Sequence, residues 1–263
     1  ALIQPYIARA YATLGDSNNA AAAYRAAADA SSDTVQRVVL LEALASTYSI
    51  AGRFSESVAA YEEILAVAQN AGYRAQIQYQ AGEVLALSGD LIGAIGRWRA
   101  ATAEAPSTTY AYRALVRLVE NQVDFDLYQR GLINLAAQSW QPAINAFTAF
   151  LESAPADDDR RDTALHMLGQ AYLGLGDLAS ATVTFDRVIA EYPDCTCFGQ
   201  AWIDSGRTLA AGGDGAGARR IYRTFARDYP NDALAPEALW RSGTLAINEG
   251  SSVEAAVDLL SIA

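Results

Sequence analysis

Apolar residues in the segment "QAYLGLGDLASATVTF", from Gln170 to Phe185, recur three and four residues apart on both sides of a Gly-Asp pair. That spacing places apolar side chains on one face of a helix. Glycine suits the left-handed conformation at the end of a helix, and the aspartate that follows it can cap the next helix. The pattern therefore predicts two amphipathic helices joined by a tight turn.

The same pattern recurs along the chain at an offset of 37 residues. That offset superposes Gly169 on Gly206 and Phe185 on Tyr222. Self-similarity at such a period is typical of proteins built from stacked supersecondary repeats. Seven repeats are recognised, and they begin near Ala1, Val38, Ala75, Asp124, Asp162, Gly199 and Pro236.

Each repeat carries particular residue types at fixed positions, and these types predict how its helices pack. Small residues at the eighth and twentieth positions let the two helices approach closely, and an aromatic residue at the twenty-fourth position fills the space beside them. Glycine at the fifteenth position makes the turn, and proline at the thirty-second ends the second helix. In the repeat that begins at Gly199, these residues are Gly206, Ala218, Tyr222, Gly213 and Pro230.

One interval between repeats is longer than the others. Asp124 follows Ala75 by 49 residues, and the excess corresponds to about three helical turns. The segment "TTYAYRALVRLVENQVD" fills this interval, and it predicts an extra helix near residues 108–120. The apolar face expected for this helix consists of Tyr112, Leu115, Val116 and Val119.

In spacing and residue type these repeats resemble the tetratricopeptide repeat family, whose unit of about 34 residues is lengthened here in the loop between repeats. Members of that family stack helix pairs into a right-handed superhelix. The resemblance implies an all-α, right-handed α-solenoid of about seven helix pairs plus the extra helix, spanning residues 1–263 as one domain. Neither end shows the polar cap that solenoids need, so we expect the chain to be a fragment of a longer protein.

Composition and charge narrow the possible functions. An apolar content of 52% is enough for a sizeable core, and no apolar run approaches the length of a membrane span. The net charge of −11 disfavours binding to a nucleic-acid backbone, which requires a basic surface. We therefore expect a folded soluble protein that has neither a nucleic-acid partner nor a membrane span.

Catalytic chemistry finds little support in the residues. His166 is the only histidine, it lies near no known nucleophile motif, and it is expected to line the solenoid surface. The absence of lysine excludes a Walker-type phosphate loop. Cys195 and Cys197 are too few for a four-ligand zinc site and would close only a small ring, so two thiols in a turn are favoured over a redox or metal role. We predict no catalytic residue, no metal site and no cofactor, so this segment is not itself an enzyme.

A binding surface is the better functional prediction. In tetratricopeptide repeat proteins the first helix of each repeat lines the concave groove, and its fifth and ninth positions point inward. An aromatic residue in such a row can instead pack against the neighbouring repeat, and this alternative is left open. The resemblance places in the groove Tyr79, Tyr128, His166, Arg207 and Trp240.

The loops between repeats suggest a more specific relationship. The loops in "AEYPDCTCFGQAW" and "ARDYPNDALAPEALWRSG" look like those of the cell-envelope branch of the repeat family. More specifically, the segment "PEALWRSGTLAINEGSSVEAAVDLL" and the extra helical segment resemble the helical region of soluble lytic murein transglycosylases, which are bacterial cell-envelope enzymes that cleave peptidoglycan glycan strands. The resemblance implies a non-catalytic repeat domain that positions a glycan strand, with the catalytic domain absent from this chain. The location would then be extracytoplasmic, in the cell envelope. The alternative is a stand-alone adaptor that binds a protein or peptide in its groove.

Overall fold

The computed structural model describes residues 3–262, and these residues form fifteen α-helices and no strand. The helices group into two compact units, of which the first ends at Phe125 and the second begins at Asp126. The predicted all-α solenoid architecture is confirmed, because each unit is built from helix pairs stacked on one another. The organisation of residues 1–263 as a single solenoid stays a prediction.

The first unit contains three helix pairs followed by a single helix. The paired helices are α1 (Gln4–Thr13) and α2 (Ser17–Asp29), α3 (Thr34–Ile50) and α4 (Phe54–Val67), and α5 (Ala71–Leu87) and α6 (Leu91–Glu104). Helices α3 and α5 begin four residues before the repeat starts assigned at Val38 and Ala75, because the side chains of Asp33 and Asn70 cap them there. The single helix is α7 (Thr109–Glu120), which confirms the extra helix predicted near residues 108–120.

Helix α7 packs against α5 and α6, but through a different face from the predicted one. Of the four residues assigned to that face only Leu115 is buried, whereas Val116 and Val119 are exposed and Tyr112 is half-buried. The helix is rotated toward its small residues, which allow a closer approach to α5 and α6. The buried face consists of Ala111, Ala114, Leu115 and Leu118.

The second unit contains four helix pairs. They are α8 (Leu127–Ala136) and α9 (Trp140–Ser153), α10 (Arg161–Leu175) and α11 (Leu178–Glu191), α12 (Phe198–Ala211) and α13 (Gly215–Asp228), and α14 (Ala235–Asn248) and α15 (Ser252–Leu260). The prolines act as predicted: α11 ends two residues before Pro193, α13 ends two residues before Pro230, and Pro236 lies in the first turn of α14.

The turn between the two helices of a pair has the predicted glycine in six of the seven pairs. There the glycine at the fifteenth position adopts a positive φ, from 71° at Gly52 to 87° at Gly176. Where an aspartate follows, it accepts a hydrogen bond from a backbone N–H of the next helix, as Asp177 does from Ser180 at 3.1 Å. The exception is the α8–α9 turn, where Gln138 takes the left-handed conformation with φ 57°.

The small residue at the eighth position of a repeat lies directly against its aromatic residue. A Cβ atom added to Gly206 would stand 2.3 Å from Cε1 of Tyr222, and one added to Gly169 would stand 2.6 Å from Cε1 of Phe185. Both aromatic rings are buried in the packed core. The glycine therefore sets the distance between the two helices of the pair.

Replacing Gly206 by alanine should lower the free energy of unfolding by about 1–3 kcal/mol, the usual cost of overpacking a core. Gly96 in α6 provides the matched control, because a Cβ added there meets nothing within 4 Å. Gly96→Ala should raise stability by about 0.5–1 kcal/mol, since alanine favours the helix. Urea denaturation followed by circular dichroism measures both. Equal effects of the two changes would contradict the close packing at Gly206.

Candidate functional site

A surface pocket in the second unit brings together two of the five residues predicted to bind a partner. Arg207 of α12 and Trp240 of α14 both line it, and its volume is about 410 Å³. Tyr222 of α13 is almost fully buried and forms part of the pocket lining. The remaining wall is mainly apolar, with one further cation, and consists of Leu173, Ala210, Ala211, Arg241, Thr244 and Leu245.

Trp240 is the largest apolar group that the pocket presents to solvent. Its residue surface is 54% exposed, whereas Trp98 in the first unit is almost fully buried. A tryptophan combines a large, rigid apolar surface with an N–H donor, which makes it effective in recognition. The exposed indole therefore marks the pocket as a candidate contact site.

Each arginine of the pocket is positioned by a carboxylate on its own helix. Arg207 donates from Nη1 to Oδ1 of Asp204 at 2.7 Å, and Arg241 donates from Nη2 to Oε1 of Glu237 at 2.7 Å. The side chain of Arg207 is 49% exposed although Asp204 is completely buried. A guanidinium group carries five N–H donors, so the hydrogen bond to Asp204 fixes the position of Arg207 and leaves other donors available to a ligand.

Asp204 is the centre of a buried polar cluster beneath the pocket. Besides the bond from Arg207, its carboxylate accepts hydrogen bonds from Gln170 at 3.0 Å and Gln200 at 3.2 Å, and His166 Nε2 lies 3.0 Å from Oδ2. A carboxylate only accepts, so the His166 tautomer that fits this contact carries its proton on Nε2. Burial raises the pKa of Asp204, but the hydrogen bonds from His166 and Gln170 outweigh it and leave the pKa below its ordinary value.

The expectation that His166 lines the surface is wrong. The residue is 4% exposed, and its imidazole packs against Phe185 at a ring-centroid distance of 5.8 Å. Its polar contact is to Asp204, which lies 38 positions along the chain. His166 therefore joins neighbouring repeats within the core and does not fit direct contact with a ligand.

The two tyrosines predicted to line the groove pack against other side chains, Tyr79 against the extra helix α7 and Tyr128 against the second helix of its own repeat. Tyr79 is buried in the first unit, where its ring lies 6.0 Å from that of Tyr110 and 4.8 Å from the guanidinium carbon of Arg113. Tyr128 is half-buried in the second unit, 5.4 Å from the ring of Phe150. Of the five predicted groove residues, only Arg207 and Trp240 lie together on an accessible surface.

The first unit has other pockets, but they differ in chemistry. One of about 350 Å³ has four valines in its lining and includes Glu42 as its only carboxylate. Another of about 490 Å³ includes Glu83 and Arg117, which neutralise each other across 2.7 Å. Among these three pockets, only the pocket at Trp240 combines an exposed aromatic ring with two arginines.

The cysteines also differ from their prediction. Cys195 and Cys197 are joined by a disulfide in the loop between α11 and α12, with their Cα atoms 5.1 Å apart. That distance lies within the ordinary range for a disulfide. The small size of the ring that these two cysteines close favours free thiols. The geometry of this loop nevertheless accommodates the small ring.

Stacked helix pairs of this kind define a helical-repeat protein. Three tetratricopeptide repeat family models match separate parts of the chain, namely residues 7–34, 163–194 and 203–263. Tetratricopeptide repeats are therefore recognised in these three parts of the chain. Among residues 3–262, no helix has the combination of length and hydropathy that crossing a membrane requires.

Other comparisons add no finer assignment. No curated protein matches the chain in sequence. A tetratricopeptide repeat protein from Parabacteroides merdae is 16% identical, with 98% of this chain and 90% of that chain covered and a TM-score of 0.40. The C-terminal part of a repeat protein from Cytophaga hutchinsonii is 15% identical, with 97% and 93% covered and a TM-score of 0.42. A Rap protein complexed with competence and sporulation factor is 12% identical, with 99% and 75% covered and a TM-score of 0.43. At these values the tetratricopeptide repeats are recognised from the sequence models alone.

Proposed function

We propose that this chain is a protein-interaction scaffold that binds a peptide segment of a partner protein in the pocket at Trp240. Tetratricopeptide repeats are generally non-catalytic and supply surfaces for other proteins. The observation that carries the proposal is the exposed indole of Trp240 beside the guanidinium groups of Arg207 and Arg241.

The pocket offers two kinds of contact to a peptide. An apolar side chain of the partner can lie against Trp240 and Leu245, where it removes apolar surface from water. The free N–H groups of Arg207 and Arg241 can donate to a backbone carbonyl or a carboxylate of the same peptide. The preferred ligand is therefore an apolar residue next to an acidic or backbone acceptor, an arrangement consistent with the pocket volume.

Replacing Trp240 by alanine should weaken peptide binding by at least about 30-fold, because a central tryptophan at an interface contributes roughly 2 kcal/mol or more. The probes are peptides selected from a random-sequence display library on the full chain. Their affinities for both proteins are then measured by calorimetry.

Ile247→Ala is the matched control for this experiment. Ile247 lies on the same helix, is 57% exposed and does not line the pocket. Its replacement should leave the affinities unchanged. Selected peptides that bind the Trp240→Ala protein as tightly as the wild type would place the binding surface elsewhere and contradict the proposal.

A second candidate is the glycan-positioning repeat domain of a cell-envelope lytic transglycosylase. It rests on the resemblance of the segment 236–260 and of the extra helical segment, and the family models and solved structures described above add nothing to it. The exposed face of Trp240 favours this candidate, since an aromatic ring can stack on a sugar. Peptidoglycan as partner, the envelope location and the transglycosylase parent all stay predictions.

Calorimetric titration with peptidoglycan glycan fragments separates this candidate from the first. Heat that disappears in Trp240→Ala but persists in Tyr128→Ala would favour it, because Tyr128 packs against Phe150 and offers less of its ring. The absence of heat with every fragment would count against it.

A further inference from the structure

The loop between α11 and α12 brings two sulfur atoms close to a carboxylate of the preceding helix pair. Cys197 immediately precedes α12, and Cys195 packs beside apolar residues of both neighbouring cores. Asp162 lies in the first turn of α10. The two Sγ atoms and a carboxylate oxygen of Asp162 all lie within 4.8 Å of one another.

The Asp162 carboxylate is oriented by its neighbour in the chain. The backbone N–H and the Oγ1 hydroxyl of Thr163 both donate to Asp162 Oδ1. Among the residues that the structure describes, Asp162 forms no ion pair, although Arg160 and Arg161 are close in sequence. Its second oxygen, Oδ2, is therefore available to a further ligand.

Two thiolates and one carboxylate make a donor set that suits Zn²⁺. Zinc binds cysteine sulfur at about 2.3 Å and carboxylate oxygen at about 2.0–2.2 Å, usually in tetrahedral geometry. Thiolate ligands select zinc and other thiophilic metals over magnesium or calcium, which prefer oxygen. The disulfide holds the two sulfur atoms at bonding distance, so after its reduction they must separate to surround an ion, and the Asp162 carboxylate lies within 4.8 Å of both.

We propose that, when the disulfide is reduced, Cys195, Cys197 and Asp162 form a three-ligand Zn²⁺ site, and that the disulfide is its metal-free state. Reduction requires a dithiol reductant, which becomes a disulfide while the protein gains two thiols. Zn²⁺ then displaces the two thiol protons, which pass to solvent, and a water molecule completes the tetrahedron. Oxidation and metal binding exclude each other because both use the same two sulfur atoms.

The bound ion would link two neighbouring repeats of the second unit. One ligand comes from the start of α10 and two come from the loop before α12. Because the ion binds only when these segments are folded together, saturating Zn²⁺ should raise the melting temperature of the reduced protein.

Titration of the full chain tests the site. The protein is reduced with a dithiol, freed of reductant and titrated with Zn²⁺ by calorimetry and with Cd²⁺ by thiolate-to-metal absorption. The reduced protein should bind one equivalent of each metal, and the oxidised protein should show no thiolate absorption. Cys195→Ser should abolish that absorption, with circular dichroism confirming that the variant is folded.

Asp162→Asn distinguishes a three-ligand site from simple binding to two thiols. It should weaken Zn²⁺ affinity by at least about tenfold, whereas the exposed Asp157→Asn, which removes the same charge from the preceding loop, should have no effect. Reduced wild-type protein that binds no metal would overturn the site. Equal Zn²⁺ affinities for Asp162→Asn and Asp157→Asn would overturn the role of Asp162.

Discussion

Replacing Asp204 by asparagine should lower the free energy of unfolding by about 3 kcal/mol at neutral pH. The carboxylate is completely buried and is in hydrogen-bonding contact with His166, Gln170, Gln200 and Arg207. Asparagine keeps the shape but turns an –NH₂ donor toward these donors. Removing one partner of a buried ion pair costs about 3–5 kcal/mol, and the half-exposed Arg207 can turn to water, which favours the lower value. Urea denaturation at pH 7 measures the change.

The pH dependence of stability provides a second readout for Asp204. Its pKa in the folded protein lies below the ordinary value of 3.8. A lowered carboxyl pKa stabilises the fold above the ordinary pKa, and this contribution is lost as the pH falls through the folded pKa. The stability difference between wild type and Asp204→Asn should therefore shrink as the pH falls below about 4.

Asp228→Asn is the control for the change of charge. Asp228 pairs with Arg227 on an exposed part of the second unit, where both side chains contact water. Exposed pairs of this kind contribute little to stability. If Asp228→Asn destabilised the chain as much as Asp204→Asn, the cluster beneath the pocket would not be a special source of stability.

Replacing Phe185 by alanine should cost about 3–5 kcal/mol, the usual effect of removing a fully buried aromatic ring. The ring is 0% exposed and fills the space against the backbone of Gly169 and the imidazole of His166. Its removal leaves a cavity between α10 and α11 that two packed helices cannot fully close. Urea denaturation followed by far-ultraviolet circular dichroism measures the loss.

Val183→Ala on the same helix is the comparison for Phe185. Val183 is exposed, so its truncation should change stability by no more than about 0.5 kcal/mol. A loss below about 1 kcal/mol for Phe185→Ala would contradict the packing of an aromatic residue on a glycine as the basis of the helix pair.

Repeat structure could be predicted from the sequence because its signals are local and recur in register. Each turn needs a residue with positive φ, and glycine meets that need at Gly176 and Gly213. The α8–α9 turn shows the limit of the rule, since Gln138 adopts the same conformation without being a glycine. The apolar periodicity of the extra helix predicts that the helix exists. Which face is buried depends on its packing against α5 and α6, and the sequence of the helix alone does not determine that packing.

The candidate site was only partly predictable, for a related reason. The family pattern assigns residues to a groove by their position in the first helix, and of these residues Trp240 and Arg207 line one pocket. Tyr79 and His166 also occupy predicted groove positions, but neighbouring residues cover them. The only available signal for burial of His166 was an aspartate about one repeat further along, and many such pairs occur by chance in a chain with 30 acidic residues.

Hydrogen–deuterium exchange of the full chain, with and without a library-selected peptide, tests the proposed function most directly. The account predicts that the peptide slows exchange in the segments of α12 and α14 that carry Arg207 and Trp240, and that Trp240→Ala abolishes this protection. Protection confined to the first unit, or protection that persists in Trp240→Ala, would contradict the assignment of this pocket as the binding surface.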